Sequence, residues 1–231
     1  MKTIKKILSF IFLILLIIII YTILNGYKMY KDAIEKMPID KKIEEIKDEL
    51  NYTKLENVTE IFKNAVIAVE DHRFYEHKGI DMISTTKAFF TNINNKEIIT
   101  GGSTITQQLA KNMYFSQEKK FSRKIAEIFV VSYLEENLTK DEILELYINT
   151  IYYGNGYYGI GTASIGYFEK KPHKLTDNES TILAGIPNAP SAYSFKTHKD
   201  LALERQKQVL RAMIKYNYLT EDEMEEILKE D

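Results

Sequence analysis

Residues 65–79 read AVIAVEDHRFYEHKG, and within them four apolar positions, Val66 to Val69, run straight into Glu70-Asp71-His72-Arg73. A buried segment that ends in ionisable side chains is the pattern of a cleft wall. The apolar run fixes the backbone, and the carboxylates project where burial stops. Proton-transfer chemistry needs a carboxylate held in this way on a rigid element. A helix end with solvated charges has the same letters, and this stretch alone leaves both readings open.

Further along, Gly101-Gly102 releases the backbone, and Thr104 with Gln107 fits a capping box, so a helix opens there. Its first turn presents N–H groups and the positive end of the dipole to an anion, and Lys111 follows one to two turns later. An ordinary polar helix start reads the same way. A P-loop is excluded, because no lysine follows the second glycine at the required place. Ser122 is expected to cap the next helix, on which Arg123 and Glu127 share a face. As a surface pair these two would contribute only about 0.3–0.5 kcal/mol. Ile125, Ile128, Phe129 and Leu134 are expected on the apolar side of that helix.

Capping boxes at Thr139/Glu142, Thr176/Glu179 and Thr220/Glu223 predict three more helix starts. Half of the ten glycines fall within Gly154 to Gly166. Gly154-x-Gly156-x-x-Gly159 has the letters of a dinucleotide fingerprint, but a helix precedes it and no βαβ unit surrounds it. A tight loop among Tyr152, Tyr153, Tyr157 and Tyr158 is expected instead. No long alternating strand pattern occurs, so the fold class is mainly α with at most a short hairpin.

Before the opening stretch, residues 7–24 carry no charge. As a helix they would be about 27 Å long, close to one hydrocarbon core. Lys2, Lys5 and Lys6 precede them, which places the N-terminus in the cytoplasm and the rest outside it. The run is long for a signal peptide, and Asn25-Gly26-Tyr27 offers no small-x-small cleavage site. The expected organisation is a cytoplasmic tail (1–6), a transmembrane helix (7–24), a juxtamembrane connector (25–57) and one domain (58–231). The charged connector is read as a solvated stalk. The Phe89-Phe90 pair is read as core, or as lipid-facing if it lies near the membrane. A net charge of −2 argues against binding nucleic acid by phosphate neutralisation. The absence of cysteine excludes disulfides, thiol nucleophiles and cysteine metal sites.

Several of these stretches together resemble one family, the family 51 glycosyltransferases, which form the peptidoglycan glycosyltransferase (transglycosylase) module. Glu70-Asp71-x-x-Phe74-x-x-His77-x-Gly79 matches its first motif, and Gly101-Gly102-Ser103-Thr104-Ile105-Thr106-Gln107-Gln108-Leu109-x-Lys111-Asn112 its second. Arg123-Lys124-x-x-Glu127 matches the third, and Ile143-Leu144-Glu145-x-Tyr147-x-Asn149 through Gly154 the fourth. A looser fifth covers Tyr167-Phe168, Leu175, Glu179, Leu183-Ala184 and Pro187.

The resemblance implies a lysozyme-like, mostly helical domain that polymerises lipid II into β-1,4-linked glycan strands, releases undecaprenyl pyrophosphate and inverts at C1. Glu70 is then expected to act as the base and Glu127 as the second essential carboxylate. Lys111, Arg123 and the turn at Ser103 are expected to hold the diphosphate, and Gln107, Gln108 and Asn112 to orient the site. Asp71, Phe74 and His77 complete the expected substrate contacts. Lys119 stands where family members often carry an arginine, eight residues before Glu127, and would hold phosphate without the bidentate fork.

No cofactor is required by the resemblance, though a loosely held Mg²⁺ or Mn²⁺ near the diphosphate fits it. Asp71, His72, Glu76 and His77 offer ligand atoms, Asp71 first among them, at spacings that match no standard zinc motif. The implied partners are lipid II, the growing glycan strand, the cytoplasmic membrane and cell-wall enzymes such as transpeptidases. With 231 residues the chain is too short to hold a penicillin-binding transpeptidase domain as well, so crosslinking is not expected of it. Two other readings use the same carboxylates. A lysozyme-like glycan hydrolase would not need Lys111 and Arg123, and a non-catalytic membrane-anchored scaffold would not need Glu70 and Glu127.

Overall fold

The computed structural model describes residues 2–95, 101–115 and 121–230. Its helices are α1 (Lys2–Lys36), α2 (Ile39–Lys47), α3 (Glu60–Glu70), α4 (Met82–Asn95), α5 (Ile105–Tyr114) and α6 (Phe121–Asn137). They continue with α7 (Lys140–Thr150), α8 (Ile160–Phe168), α9 (Asp177–Gly185), α10 (Lys199–Lys215) and α11 (Glu221–Ile227). Among the described residues there is no strand, only an isolated antiparallel bridge between Tyr152 and Tyr158. The mainly helical class is as expected, and the short hairpin reduces to that bridge.

Four helices open on the same device. Thr104, Thr139, Thr176 and Thr220 each accept the N–H three residues on, and Gln107, Glu142, Glu179 and Glu223 return a side-chain acceptor to the threonine N–H. Each such cap contributes about 1 kcal/mol and fixes where its helix begins. Ser122 does not serve in this way. It lies inside α6, which already starts at Phe121.

The N-terminal helix is longer than its apolar run. α1 continues 35 residues without a break, about 52 Å. Its apolar part is unburied and long enough to cross a membrane by length and composition. Its C-terminal third packs along α6. Tyr27 and Tyr30 lie 5.3 and 5.2 Å from the Phe129 ring, and a Cβ at Gly26 would sit 2.5 Å from Ile125 Cβ. Only glycine allows this approach.

The solvated-stalk reading of the connector is therefore corrected. Ile39, Ile43 and Ile46 are buried in the main core, and Tyr114 and Tyr133 hydroxyls bond Met37 O and Asp40 Oδ1. The sequence spaces Ile43 and Ile46 as on a helix face, and what it does not give is that this face packs on the main core. Ile128, expected inward, is exposed on α6, while Glu127 is fully buried there.

Two packed groups frame the site. α3, α9 and α10 contact one another, and α7 and α6 flank α5, with α1 on α6 and α2 on α7. Phe62, Val66, Leu109, Ile143, Leu144 and Tyr147 are fully buried in the shared core. Glu70 is the last residue of α3, placed where that group meets the start of α5. Gly154, Gly156 and Gly159 all take positive φ, which allows the loop before α8 to turn tightly.

Candidate active site

The turn after Glu70 is tied to α5 by a chain of hydrogen bonds. Both Asp71 carboxylate oxygens lie 2.9 Å from His77 Nε2, and Oδ2 also accepts the Ile105 N–H at 3.0 Å. His77 Nδ1 accepts the Gly79 N–H at 3.1 Å, so the ring donates through Nε2. Thr104 Oγ1 donates to Gly79 O at 2.6 Å. Gly79 adopts φ +80°, and a Cβ there would collide with Val131 Cγ1. A glycine is required on both counts.

Asp71, His77 and Phe74 therefore serve the turn. Phe74 is fully buried in the core with Lys140 Nζ 4.6 Å from its ring centre, and neither it nor His77 lines the cleft. Gln107 closes the α5 cap, accepting the Thr104 N–H at 3.0 Å, and Asn112 is exposed away from the cleft.

Glu70 lines a cleft of about 340 Å³ together with Asp71, Ser103, Lys87, Arg205 and Lys215. Its Oε2 accepts Gln108 Nε2 at 2.8 Å, while Oε1 is sealed from solvent and lacks a hydrogen-bond partner. Gln108 Oε1 in turn accepts the Tyr147 hydroxyl at 3.4 Å, which orients the amide so that its N–H faces Glu70. Burial pushes the Glu70 carboxyl above the usual range. The Gln108 hydrogen bond, Arg205 and Lys111 oppose that shift, and Asp71 adds to it. A carboxylate in this state is a strong base with one oxygen free to take a proton.

Glu127 is the opposite case. It is fully buried, with Arg123 Nη1 at 3.0 Å from Oε1 and Lys124 Nζ at 2.8 Å from Oε2. The surface-pair reading of Arg123 and Glu127 does not apply to so deep a pair. Lys124 Nζ also donates to Ser103 Oγ at 3.1 Å, which links this ion cluster to the cleft wall. Lys111 is half-buried and feels the charge of both carboxylates. Burial and Arg123 hold its ammonium below the usual range, with Glu127 and Glu70 pulling the other way. A cation in this setting gains most from an arriving anion, because its neighbours repel it and water solvates it poorly.

Of the expected site residues, Glu70, Gln108, Lys111, Ser103, Arg123 and Glu127 fall in one connected region. Lys119 lies outside the described residues, as do the side chains of Phe89 and Phe90. Lys124 and Tyr147 stand in the third and fourth motifs, though no role was expected of either. Lys87, Arg205 and Lys215 were not singled out from the sequence. They come from α4 and from α10, where nothing local marks them.

The residues expected to offer a metal do not fit one. Asp71, His77 and Asp81 bring ligand atoms within 4.8 Å of one another. Each is already engaged: Asp71 and His77 as above, and Asp81 by the Ile83 and Ser84 N–H groups and the Ser84 hydroxyl. His72 stacks on Tyr216 at 4.0 Å, and Glu76 pairs with Arg73 at 3.1 Å.

A family model described as Transglycosylase matches residues 39–214. The chain is similar to penicillin-binding protein 1A of Neisseria gonorrhoeae, 42% identical over 180 residues, covering 78% of this chain and 23% of that protein. It is also similar to penicillin-binding protein 4 of Bacillus subtilis (strain 168), 40% identical over 173 residues, covering 75% and 28% respectively. The chain thus spans about a quarter of the length of these curated relatives. Among solved structures, penicillin-binding protein 1A from Haemophilus influenzae aligns with a TM-score of 0.45 at 23% identity, covering 78% of this chain and 17% of that one.

Proposed function

The chain belongs to the transglycosylase family, matched over residues 39–214, and on that premise we propose that it is a peptidoglycan glycosyltransferase that polymerises lipid II. The observation that carries the reading is the buried Glu70 Oε1, without a hydrogen-bond partner, on a carboxyl with a raised pKa. Glu70 takes the proton of the acceptor's 4-hydroxyl. That oxygen forms a bond to C1 of the donor sugar, and the bond from C1 to the diphosphate oxygen breaks with its electron pair. The anomeric centre inverts, giving a β-1,4 link, and undecaprenyl pyrophosphate departs.

Lys111, Arg123 and Lys124 are suited to the charge that builds on the leaving diphosphate. Glu127 keeps Arg123 and Lys124 in place against one another. Gln108, held by Tyr147, keeps Glu70 aimed and partly offsets its burial. α1 anchors the chain in the cytoplasmic membrane, with Lys2, Lys5 and Lys6 on the inner side and the domain outside. That arrangement sets the site beside its lipid-linked substrate.

The test is to incubate the purified full chain with lipid II and to separate the products on a gel. Glycan ladders are expected. Shortening of purified glycan with lipid II untouched would replace this reading with a hydrolase, and no change in either substrate would favour a scaffold.

A further inference from the structure

α1 and α6 run side by side in the same direction. A Cβ on Gly26 would lie 2.5 Å from Ile125 Cβ and 2.8 Å from Ser122 O. Tyr30 stacks on Phe129 at 5.2 Å, and just beyond α1 Asp40 accepts the Tyr133 hydroxyl at 2.7 Å. The pairs ascend together along both helices, so the first turn of α6 lies at the end nearest the apolar run. That turn carries Arg123 and Lys124, the two cations held by Glu127.

The apolar run ends at Leu24, two residues before Gly26. Along a helix axis that is about 3 Å. The headgroup layer on each side of a hydrocarbon core is about 5–7 Å deep. With the hydrocarbon boundary at Leu24, the start of α6 therefore stands at headgroup level. The side chains around it suit that level. Phe121, which opens α6, is 87% exposed, and Tyr21 and Tyr27 on α1 are exposed as well. Aromatic rings of this kind gather at membrane–water boundaries.

The link from bilayer to domain has no joint. α1 is unbroken for 35 residues and contains no proline. Its outer third is fastened at Gly26 and Tyr30, and again at Met37, whose carbonyl accepts the Tyr114 hydroxyl at 2.9 Å. Ile39, Ile43 and Ile46 then enter the main core. Any change in the height of α1 is passed to α6 undiminished.

We propose that α1 acts as a depth gauge: its docking on α6 at Gly26 holds Arg123 and Lys124 at the headgroup level of the outer leaflet. The diphosphate of a lipid-linked substrate already lies at that level. It is captured without drawing the lipid chain out of the hydrocarbon, which would cost free energy for every methylene exposed. The diphosphate contact rests on the proposed function, whereas the depth does not. Gly26 is on this account a positioning residue, acting through α6.

The test measures depth and activity separately. The chain has no cysteine, so Phe121→Cys takes a single fluorophore at the exposed start of α6. The full chain is placed in vesicles of phosphatidylcholine and phosphatidylglycerol that carry a nitroxide quencher on the headgroup. Between Leu24 and Asn25 a helical turn of two alanines and two glutamines is inserted, which raises the domain by about 6 Å. A second variant has four residues of glycine and serine there, equally long but flexible. The label is expected to be quenched in the chain without an insertion, released by the helical turn, and quenched again with the flexible one. Polymerisation of lipid II in the vesicles should fall by about tenfold or more with the helical turn. In detergent micelles, which have no flat boundary, the rate and the melt should be unchanged. A label unquenched in the chain without an insertion, or quenching that survives the helical turn, would overturn the gauge. Quenching lost with the helical turn, but no polymerisation by the wild type, would keep the gauge and remove the proposed function.

Discussion

Glu70 and Glu127 are both carboxylates at helix positions in one connected site, and their surroundings are opposite. Glu127 sits between Arg123 and Lys124 with no exposed surface. Glu70 has one hydrogen-bond donor, Gln108, and an Oε1 with none. A buried carboxylate with two cations is held in place by its partners, and removing one of them leaves a buried charge unbalanced. One with a single amide partner is left reactive. The first arrangement holds structure and charge in place, and the second is able to exchange a proton. The difference lies in the neighbours and not in the residue type.

The largest effect that would sharpen this contrast is expected for Glu127→Ala. Removing one partner of a buried ion cluster leaves Arg123 and Lys124 unbalanced. Denaturant unfolding should show a loss of about 3 kcal/mol, near the low end for such a change because Lys124 can move into water. Activity should fall with it. Unchanged stability would mean that Glu127 is not the structural member of the pair.

A smaller loss, without unfolding, is expected for Lys111→Ala. The leaving diphosphate loses a cation, and polymerisation should slow by about 100-fold, while the circular dichroism melt stays as in the wild type. A fully active Lys111→Ala would remove this residue from the chemistry.

The smallest change concerns pH. In the role proposed for it Glu70 must be ionised, so activity should fall as pH drops through its raised pKa, above the usual carboxylate range. Gln108→Leu removes the hydrogen bond that favours the charged form. The acidic limb of the rate profile should then move to higher pH. A limb that stays in place would place the titrating base elsewhere.

The helices were readable largely because their starts are local. Thr104, Thr139, Thr176 and Thr220 each carry their partner three residues on, within one turn. The fixing of the 51–55 segment was not readable. Glu145 accepts the Leu55 N–H and the Tyr52 hydroxyl, and Asn149 bonds both Thr53 N and Thr53 O. These contacts span about ninety residues of sequence, and the fourth motif that contains Glu145 and Asn149 does not say what they bond.

The candidate site divides in the same way. Glu70, Lys111 and Glu127 stood out through family motifs, and the structure brings them together. Asp71, Phe74 and His77 belong to the same first motif, yet their contacts hold the turn. A motif records which residues are needed and does not say whether they touch a ligand or a neighbour. Lys87, Arg205 and Lys215 reach the cleft from α4 and α10, at positions that none of the five motifs includes.

The most direct test of the account is Glu70→Gln, read for strand synthesis and for stability together. Because the folded-state pKa of Glu70 is raised, its contribution to stability is full below the unfolded value and lost as pH rises through the folded one. Above the unfolded value the group therefore opposes folding, and an uncharged amide relieves it. The account predicts that glycan ladders from lipid II disappear while the melting temperature at pH 7 rises, by about 2–4 °C for each kcal/mol relieved. Strands that still grow with the Glu70→Gln variant would contradict it.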